Sequence, residues 1–322
     1  MRAAKSHALM NRRYFEDRSF QECVCESKRT GIVFRRRDRY GFKFKYSLCV
    51  NCGHVRTVNP LSKSATGTFY KSSDFRSLYY PSESPSEYVR RVGSSPETAR
   101  RLFDYAVSRV GLPASVIEWG CSGGWNLLLF REAGSSVVGY DLDSTYVELG
   151  KELYNLNLIT ASSGMPFDSI KESADLIILN HVVEHVSDVT EFLANLRQCC
   201  SASTSVIVGL PLLETMRLWR WKNFFHIAHI HYFSSKTFQY CAEKSGFEIV
   251  HSSPKTGFFT LRLGTKSVQR ARFGSIFTSV YHLTKGFFDP IGRMRKLVYR
   301  LICSLGLKEW YDEFATNLRS RS

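Results

Sequence analysis

The chain has 322 residues, enough for one large domain and a smaller one, and its 43% hydrophobic and 23% charged content is that of a soluble globular protein. A formal net charge of +15 implies an acidic partner: nucleic acid, an anionic membrane surface or a phosphorylated substrate. Nine cysteines without a regular framework spacing argue against a secreted disulfide scaffold, and no apolar run is long enough to span a bilayer. The basic N-terminus, MRAAKSHALMNRR, lacks the apolar core of a signal peptide, so a cytoplasmic protein is expected.

Residues 1–20 are polar and basic and read as a lead-in. Cys49-x-x-Cys52-Gly53 is a knuckle, two thiolates on a tight turn that glycine eases. Cys23 and Cys25 are the upstream pair needed to complete a four-thiolate site for structural zinc. Their C-x-C spacing departs from the knuckle, and His54 is an alternative ligand. The run Tyr46 to Pro60, Y-x-L-C-x-x-C-G-H-V-x-x-x-N-P, followed by Phe69-Tyr70, resembles the zinc ribbon preceding the catalytic domain in a group of sugar- and polysaccharide-modifying methyltransferases. A ribbon-like domain is therefore expected over 21–70, then a linker with helices over 71–113. Ser95-Pro96-Glu97 opens a helix running to about Val110, which Gly111 and Pro113 stop.

Residues 115–141, SVIEWGCSGGWNLLLFREAGSSVVGYD, read as strand, small-residue turn, helix (Trp125 to Ala133) and second strand. Each strand ends near a carboxylate, Glu118 and Asp141, and ligands of open parallel sheets sit beyond the carboxyl ends of the strands. Gly120, Ser122 and Gly124 supply the turn; the full G-x-G-x-x-G of dinucleotide binders is missing. Glu118 would repel a pyrophosphate and suits a ligand bearing an ammonium and a sulfonium.

This stretch resembles motif I of class I S-adenosylmethionine-dependent methyltransferases, E/D-x-G-x-G-x-G, with Ser122 in place of the middle glycine. The resemblance implies that Asp141 holds the ribose hydroxyls, Leu142 packs on the adenine, and Gly120 and Gly124 let the methionine portion approach the backbone. It also places Met165, in Met165-Pro166-Phe167, on the adenine side and Asn180 at the cleft.

Beyond Asp141 helices and strands alternate: a helix over 144–154, strands over 158–160 and 176–180, a helix near 190–199 and a strand over 205–210. The fold class expected is α/β, a Rossmann-like doubly wound sheet over 114–266 with a small N-terminal zinc-ribbon-like β domain and a basic C-terminal helical extension. In Asn180-His181-Val182-Val183-Glu184-His185-Val186, Glu184 and His185 are either a positioned acid and base or a structural hydrogen-bonded pair. His181 is the histidine of this turn expected to point into the cleft. Residues 211–234 carry His226, His229 and His231 among aromatics and basic residues, and read as a substrate lid above the crevice. A hydroxyl acceptor needs a general base, for which His229, His231 and His181 are candidates; for carbon methylation beside a keto group, His229 or Tyr232 would abstract the proton. Residues 267–322 carry an amphipathic basic helix, suited either to an anionic membrane or to packing on the parent domain.

The expected function is methylation, at oxygen or carbon, of a small sugar-type acceptor linked to a nucleotide or lipid. An RNA-directed methyltransferase using Arg35-Arg36-Arg37 and a non-catalytic cofactor-binding scaffold are the alternatives.

Overall fold

The computed structural model describes residues 13–27, 31–38, 40–80, 83–94, 97–162, 174–216 and 224–264. Met165 and the C-terminal extension from 267 onward lie outside the described residues, as do the Ser95-Pro96 helix start and residues 1–12 of the lead-in.

Two sheets organise the described chain. The smaller is formed by β1 (Ile32–Arg37), β2 (Lys43–Leu48), β3 (Val55–Thr57) and β9 (His231–Tyr232), in that order and antiparallel throughout. The larger contains β4 (Ser115–Trp119), β5 (Ser136–Asp141), β6 (Leu158–Thr160), β7 (Leu176–Asn180), β8 (Ser205–Gly209), β10 (Phe247–Ser253) and β11 (Phe258–Leu263). Its order is β10-β11-β8-β7-β4-β5-β6; β6, β5, β4, β7 and β8 run parallel, and β11 is antiparallel to both its neighbours. The chain thus winds outward in both directions from β4, and the strand order reverses between β4 and β7, where such sheets bind ligands.

The parallel strands are apolar on both faces because helices cover both. Ile117, Trp119, Ile177, Leu179, Val206 and Val208 face one side, packing with α7 (Val189–Gln198) and α8 (Ser235–Lys244) through Phe192, Leu196 and Phe238. Val116, Leu176, Ile178 and Ile207 face the other, against α4 (Glu97–Val110) and α5 (Leu128–Glu132) through Leu102, Ala106 and Phe130. Short polar side chains start the helices: Asp143 caps α6 (Ser144–Tyr154), Asp188 caps α7, and Ser234 forms a reciprocal capping box with Thr237 on α8.

Three expectations change. The helix expected at Trp125 to Ala133 is only Leu128–Glu132, because residues 125–127 still belong to the turn. Much of the segment expected as a linker is helical, with α1 (Lys63–Lys71), α2 (Asp74–Tyr79) and α3 (Pro85–Ser94). Most consequentially, the described part of the expected lid does not cap the crevice. Phe224, Phe225, Ile227, Ala228 and Tyr232 are buried in one core with Phe42, Phe44, Tyr46, Val55 and Phe69 of the N-terminal region. Leu213 and Met216 join them. The aromatic content that suggested a lid is core, and β9 supplies the fourth strand of the N-terminal sheet.

Candidate functional site

The turn after β4 explains its own sequence. Gly120, Ser122 and Gly124 all have positive φ, +76°, +52° and +78°. Ser122 occupies the left-handed region where the motif ordinarily has glycine, at a cost of about 1 kcal/mol or more. A Cβ on Gly120 would stand 2.6 Å from Val182 Cγ2, and one on Gly124 would stand 2.7 Å from Leu156 Cδ1. Gly120 is therefore needed where the turn meets the loop after β7, and Gly124 where it packs against the segment leading to β6. The Gly120 and Cys121 N–H groups donate to the Tyr140 carbonyl at 2.8 and 3.1 Å. Asp141 completes the arrangement: Oδ2 accepts from the Ser122 N–H at 2.8 Å and Oδ1 from the Asp143 N–H at 2.9 Å.

Beyond these strand tips lies a cavity of about 580 Å³. Trp119, Gly120, Asp141, Leu142 and Asp143 form its floor; His181, Val182, His185, Val186, Ser187 and Asp188 line another wall. The remaining wall is built by Lys63, Gly67, Tyr70, Lys71, Phe75 and Arg76 of α1 and α2. Sequence reasoning missed this wall, since a Ser- and Tyr-rich stretch resembles a linker until its partner surface is known. Arg76 sits within 5.1–5.9 Å of the ring centroids of Phe75, Tyr88, Trp125 and Tyr146, and donates to the Tyr88 hydroxyl at 3.1 Å. Burial works against its charge, but Tyr88 and Asp141 outweigh it and raise its pKa.

The expected cofactor residues divide. Gly120, Asp141 and Leu142 line the cavity. Glu118 and Asn180 do not: Glu118 is fully buried, its Oε1 accepting from Asn126 Nδ2 at 2.7 Å, and Asn180 Oδ1 sits over Gly209, 2.3 Å from where a Cβ there would be. Glu118 Oε2, Asn126 Oδ1 and the Ser122 hydroxyl are buried without a hydrogen-bond partner among the described residues. Burial pushes the Glu118 carboxyl up to about 8; the Asn126 hydrogen bond opposes the shift and the charge of Asp141 adds to it.

A stability prediction follows from the sign of that shift. A carboxyl raised in the folded state contributes stability that is full below the ordinary value of 4.5 and is lost as pH rises through about 8. Glu118→Gln keeps an acceptor for Asn126 and removes the burdened ionisation. It should therefore raise stability at pH 7 by about 3 kcal/mol at most, flattening the fall between pH 5 and 9 in urea titrations.

The histidines also divide. His181, with φ +57° at the end of β7, lines the cavity with a side chain 58% exposed, and its Nδ1 lies 3.1 Å from Glu184 Oε1. Burial lowers its pKa and the Glu184 carboxylate raises it, with a net rise. His231 is turned away from the cavity: Nδ1 meets His54 Nε2 at 2.9 Å, Nε2 lies 3.3 Å from the Ser187 carbonyl, and burial drives its pKa down to about 4. The Tyr232 hydroxyl is buried, donating to the His229 carbonyl at 3.0 Å. Neither His231 nor Tyr232 reaches the cavity, because β9 pairs with β3 and commits both side chains to the N-terminal sheet. His229 is buried behind His185, their ring centroids 4.9 Å apart.

At the other end of the N-terminal sheet, the Cys23, Cys25, Cys49 and Cys52 sulfurs all lie within 4.8 Å of one another. Cys23–Cys52, Cys23–Cys25 and Cys25–Cys49 are separated by 3.5, 3.6 and 3.7 Å. Sulfurs about 2.3 Å from a tetrahedral zinc ion would be separated by about 3.8 Å. The C-x-C spacing is accommodated because Cys23 and Cys25 come from a turn, and Asn51 Nδ2 donates to Cys25 Sγ at 3.5 Å. His54, the alternative ligand, is committed to His231.

The family model described as a methyltransferase domain matches residues 91–252, half of the chain. The chain belongs to the methyltransferase family. The methyltransferase is 29% identical over 166 residues to the C-methyltransferase NovU of Streptomyces niveus, a match covering 49% of this chain and 39% of that relative. The match thus spans about two fifths of the curated relative's length. Among solved structures, magnesium protoporphyrin IX methyltransferase from Synechocystis PCC 6803 with bound SAH is 18% identical, with a TM-score of 0.44 over 62% of this chain and 98% of that one. Human N-acetylserotonin methyltransferase in complex with SAM is 15% identical, with a TM-score of 0.46 over 60% of each chain. No described helix of the methyltransferase is long and apolar enough to cross a membrane.

Proposed function

We propose that the protein transfers the methyl group of S-adenosylmethionine to a small acceptor, at carbon or oxygen, and that the acceptor is an anionic sugar derivative carried on a nucleotide or lipid. The observation that carries the reading is Asp141, held at the cavity floor beside a left-handed turn. Its carboxylate is fixed by two backbone N–H groups while it borders the open space. The residues present fit the cofactor: Asp141 would accept from the ribose hydroxyls, Leu142 would offer an apolar surface to the adenine, and Gly120 leaves backbone room for the methionine portion. Arg76, on the opposite wall, is a suitable partner for the methionine carboxylate. Glu118 would act through Asn126 and the turn rather than by touching the ammonium. The cofactor supplies an electrophilic methyl on a sulfonium; the protein's task is alignment and removal of the acceptor proton.

A cavity of about 580 Å³ suits a small molecule better than a nucleic acid strand. Lys63 and Lys71 stand with Arg76 on the wall of α1 and α2, and supply the positive side that an anionic acceptor needs. Of the four candidate bases His181 has the geometry for the task. Glu184 takes its Nδ1 proton and leaves Nε2 as the basic atom on the cavity side. The zinc site would be structural, since four thiolates leave no open position, and it would brace the sheet that carries β9.

The experiment is methyl transfer from labelled S-adenosylmethionine to a panel of nucleotide-linked keto and hydroxy sugars, followed by mass spectrometry. His181→Ala should lower turnover by about 10²–10⁴-fold with cofactor affinity unchanged. Because Glu184 raises the His181 pKa, the basic form is lost below a midpoint higher than the ordinary 6.5, and the acid limb of kcat/KM should fall there. An unaltered turnover in His181→Ala would remove it as the base.

A further inference from the structure

Behind the cavity wall the structure brings together three groups that the methyl-transfer reading leaves unused. We propose that Glu184, His185 and His229 form a second metal site, a two-histidine, one-carboxylate set for a divalent zinc- or iron-class ion, distinct from the four cysteines. The two segments arrive from far apart in sequence and are fastened to each other by backbone. The Ile230 N–H donates to the Glu184 carbonyl at 2.9 Å, and His185 Nδ1 lies 2.8 Å from the Ala228 carbonyl.

The tautomers are set by those bonds. A backbone carbonyl only accepts, so Nδ1 of His185 carries its proton; His229 Nδ1, 2.9 Å from the Phe224 carbonyl, does likewise. Each neutral ring is left with an unprotonated Nε2, and both converge on Glu184: 3.7 Å from His185 Nε2 to Oε1 and 3.9 Å from His229 Nε2. These gaps are too long for hydrogen bonds, and all three groups present lone pairs to one another. Ligands about 2.1 Å from a tetrahedral or trigonal ion are separated by about 3.4–3.6 Å, so rotations of a few tenths of an ångström close the site. Glu184 is fully buried and its Oε2 has no partner among the described residues, an uncompensated acceptor that a cation would satisfy. Burial lowers the pKa of both histidines, His229 well below the ordinary range, which keeps the ligand form at neutral pH.

Histidines whose Nδ1–H groups are held by carbonyls are also the usual outer arrangement of metal-bound imidazole. Two histidines and a carboxylate leave open coordination positions, and His185 lines the cavity, so the ion would stand at its edge. There it would polarise an acceptor oxygen. That role rests on the proposed methyl transfer; the binding of the ion does not.

The test is Co²⁺ titration of the full chain as isolated, with its cysteine site filled, read by visible absorption and calorimetry. The expected result is one saturable cobalt site with the spectrum of nitrogen and oxygen ligands and no thiolate charge-transfer band. Glu184→Gln and His229→Asn should each weaken it by at least about 100-fold, since losing even outer partners of a metal site costs about 10–100-fold. Near-UV circular dichroism checks that each variant is folded, and His185→Asn replaces any that is not. A folded wild-type protein that takes up no cobalt outside the cysteines overturns the proposal, as does a site that all folded variants retain. Methyl transfer by a protein without this ion would leave the proposed activity standing and sink only the metal site.

Discussion

Asp141→Ala is expected to weaken S-adenosylmethionine binding by about 100-fold or more, measured by isothermal titration. Two consequences combine. The carboxylate is the group proposed to accept from the ribose, and charge-assisted hydrogen bonds are worth about 1.5–3 kcal/mol each. It also holds the Ser122 and Asp143 N–H groups, so its removal releases a turn already strained at Ser122. Asp141→Asn separates the two. Its amide oxygen can still accept one backbone N–H, whereas its charge is gone, so the turn should survive better than cofactor affinity does. Equal affinity in wild type and both variants would mean that the cavity floor is not the donor's site.

The second large effect is expected from the cysteines. Chelation, or Cys49→Ser, should lower Tm by about 10 °C or more in calorimetry, since a structural zinc site carries several kcal/mol and each is worth about 2–4 °C in a domain of this size. The loss should also reach the cavity. β3 pairs with β9 through Val55 with Tyr232 and Arg56 with His231, and the knuckle leads directly into β3. His54 adds a buried bond to His231, whose other nitrogen lies 3.3 Å from the carbonyl of Ser187, a cavity-lining residue. Releasing the sulfurs should thus reduce turnover together with stability. A chelated protein that holds no metal and keeps its full Tm would show that the thiols need no ion.

These expectations tie the two sheets into one working unit, which the sequence did not suggest. A basic ribbon followed by a linker reads as an appendage. In the structure, residues 63–76 wall the cavity and residues 224–232 fill the core of the N-terminal region. Neither half of that exchange has a local signature, because aromatic residues at irregular spacing fit a lid, a hairpin or a core equally well until their partners are known.

Legibility of the site followed the range of the interaction. Asp141 and the turn of Gly120 to Gly124 were readable because φ, strand period and helix start are settled within a few residues. The α/β alternation from Ser115 to Leu263 was readable for the same reason. Glu118 was legible in position and not in environment: whether its carboxylate meets a ligand or Asn126 depends on what packs above it. The histidines show the same limit most plainly. Sequence nominated His181, His229 and His231 alike, and backbone pairing between β3 and β9, far apart in the chain, left only His181 facing the cavity. The sequence by itself determined the sheet and the strand ends where a ligand belongs, since short-range periodicity and glycine geometry dictate them. Only the tertiary structure decided which side chains reach that ligand, because each was placed by a partner too distant in the chain for any local pattern to record.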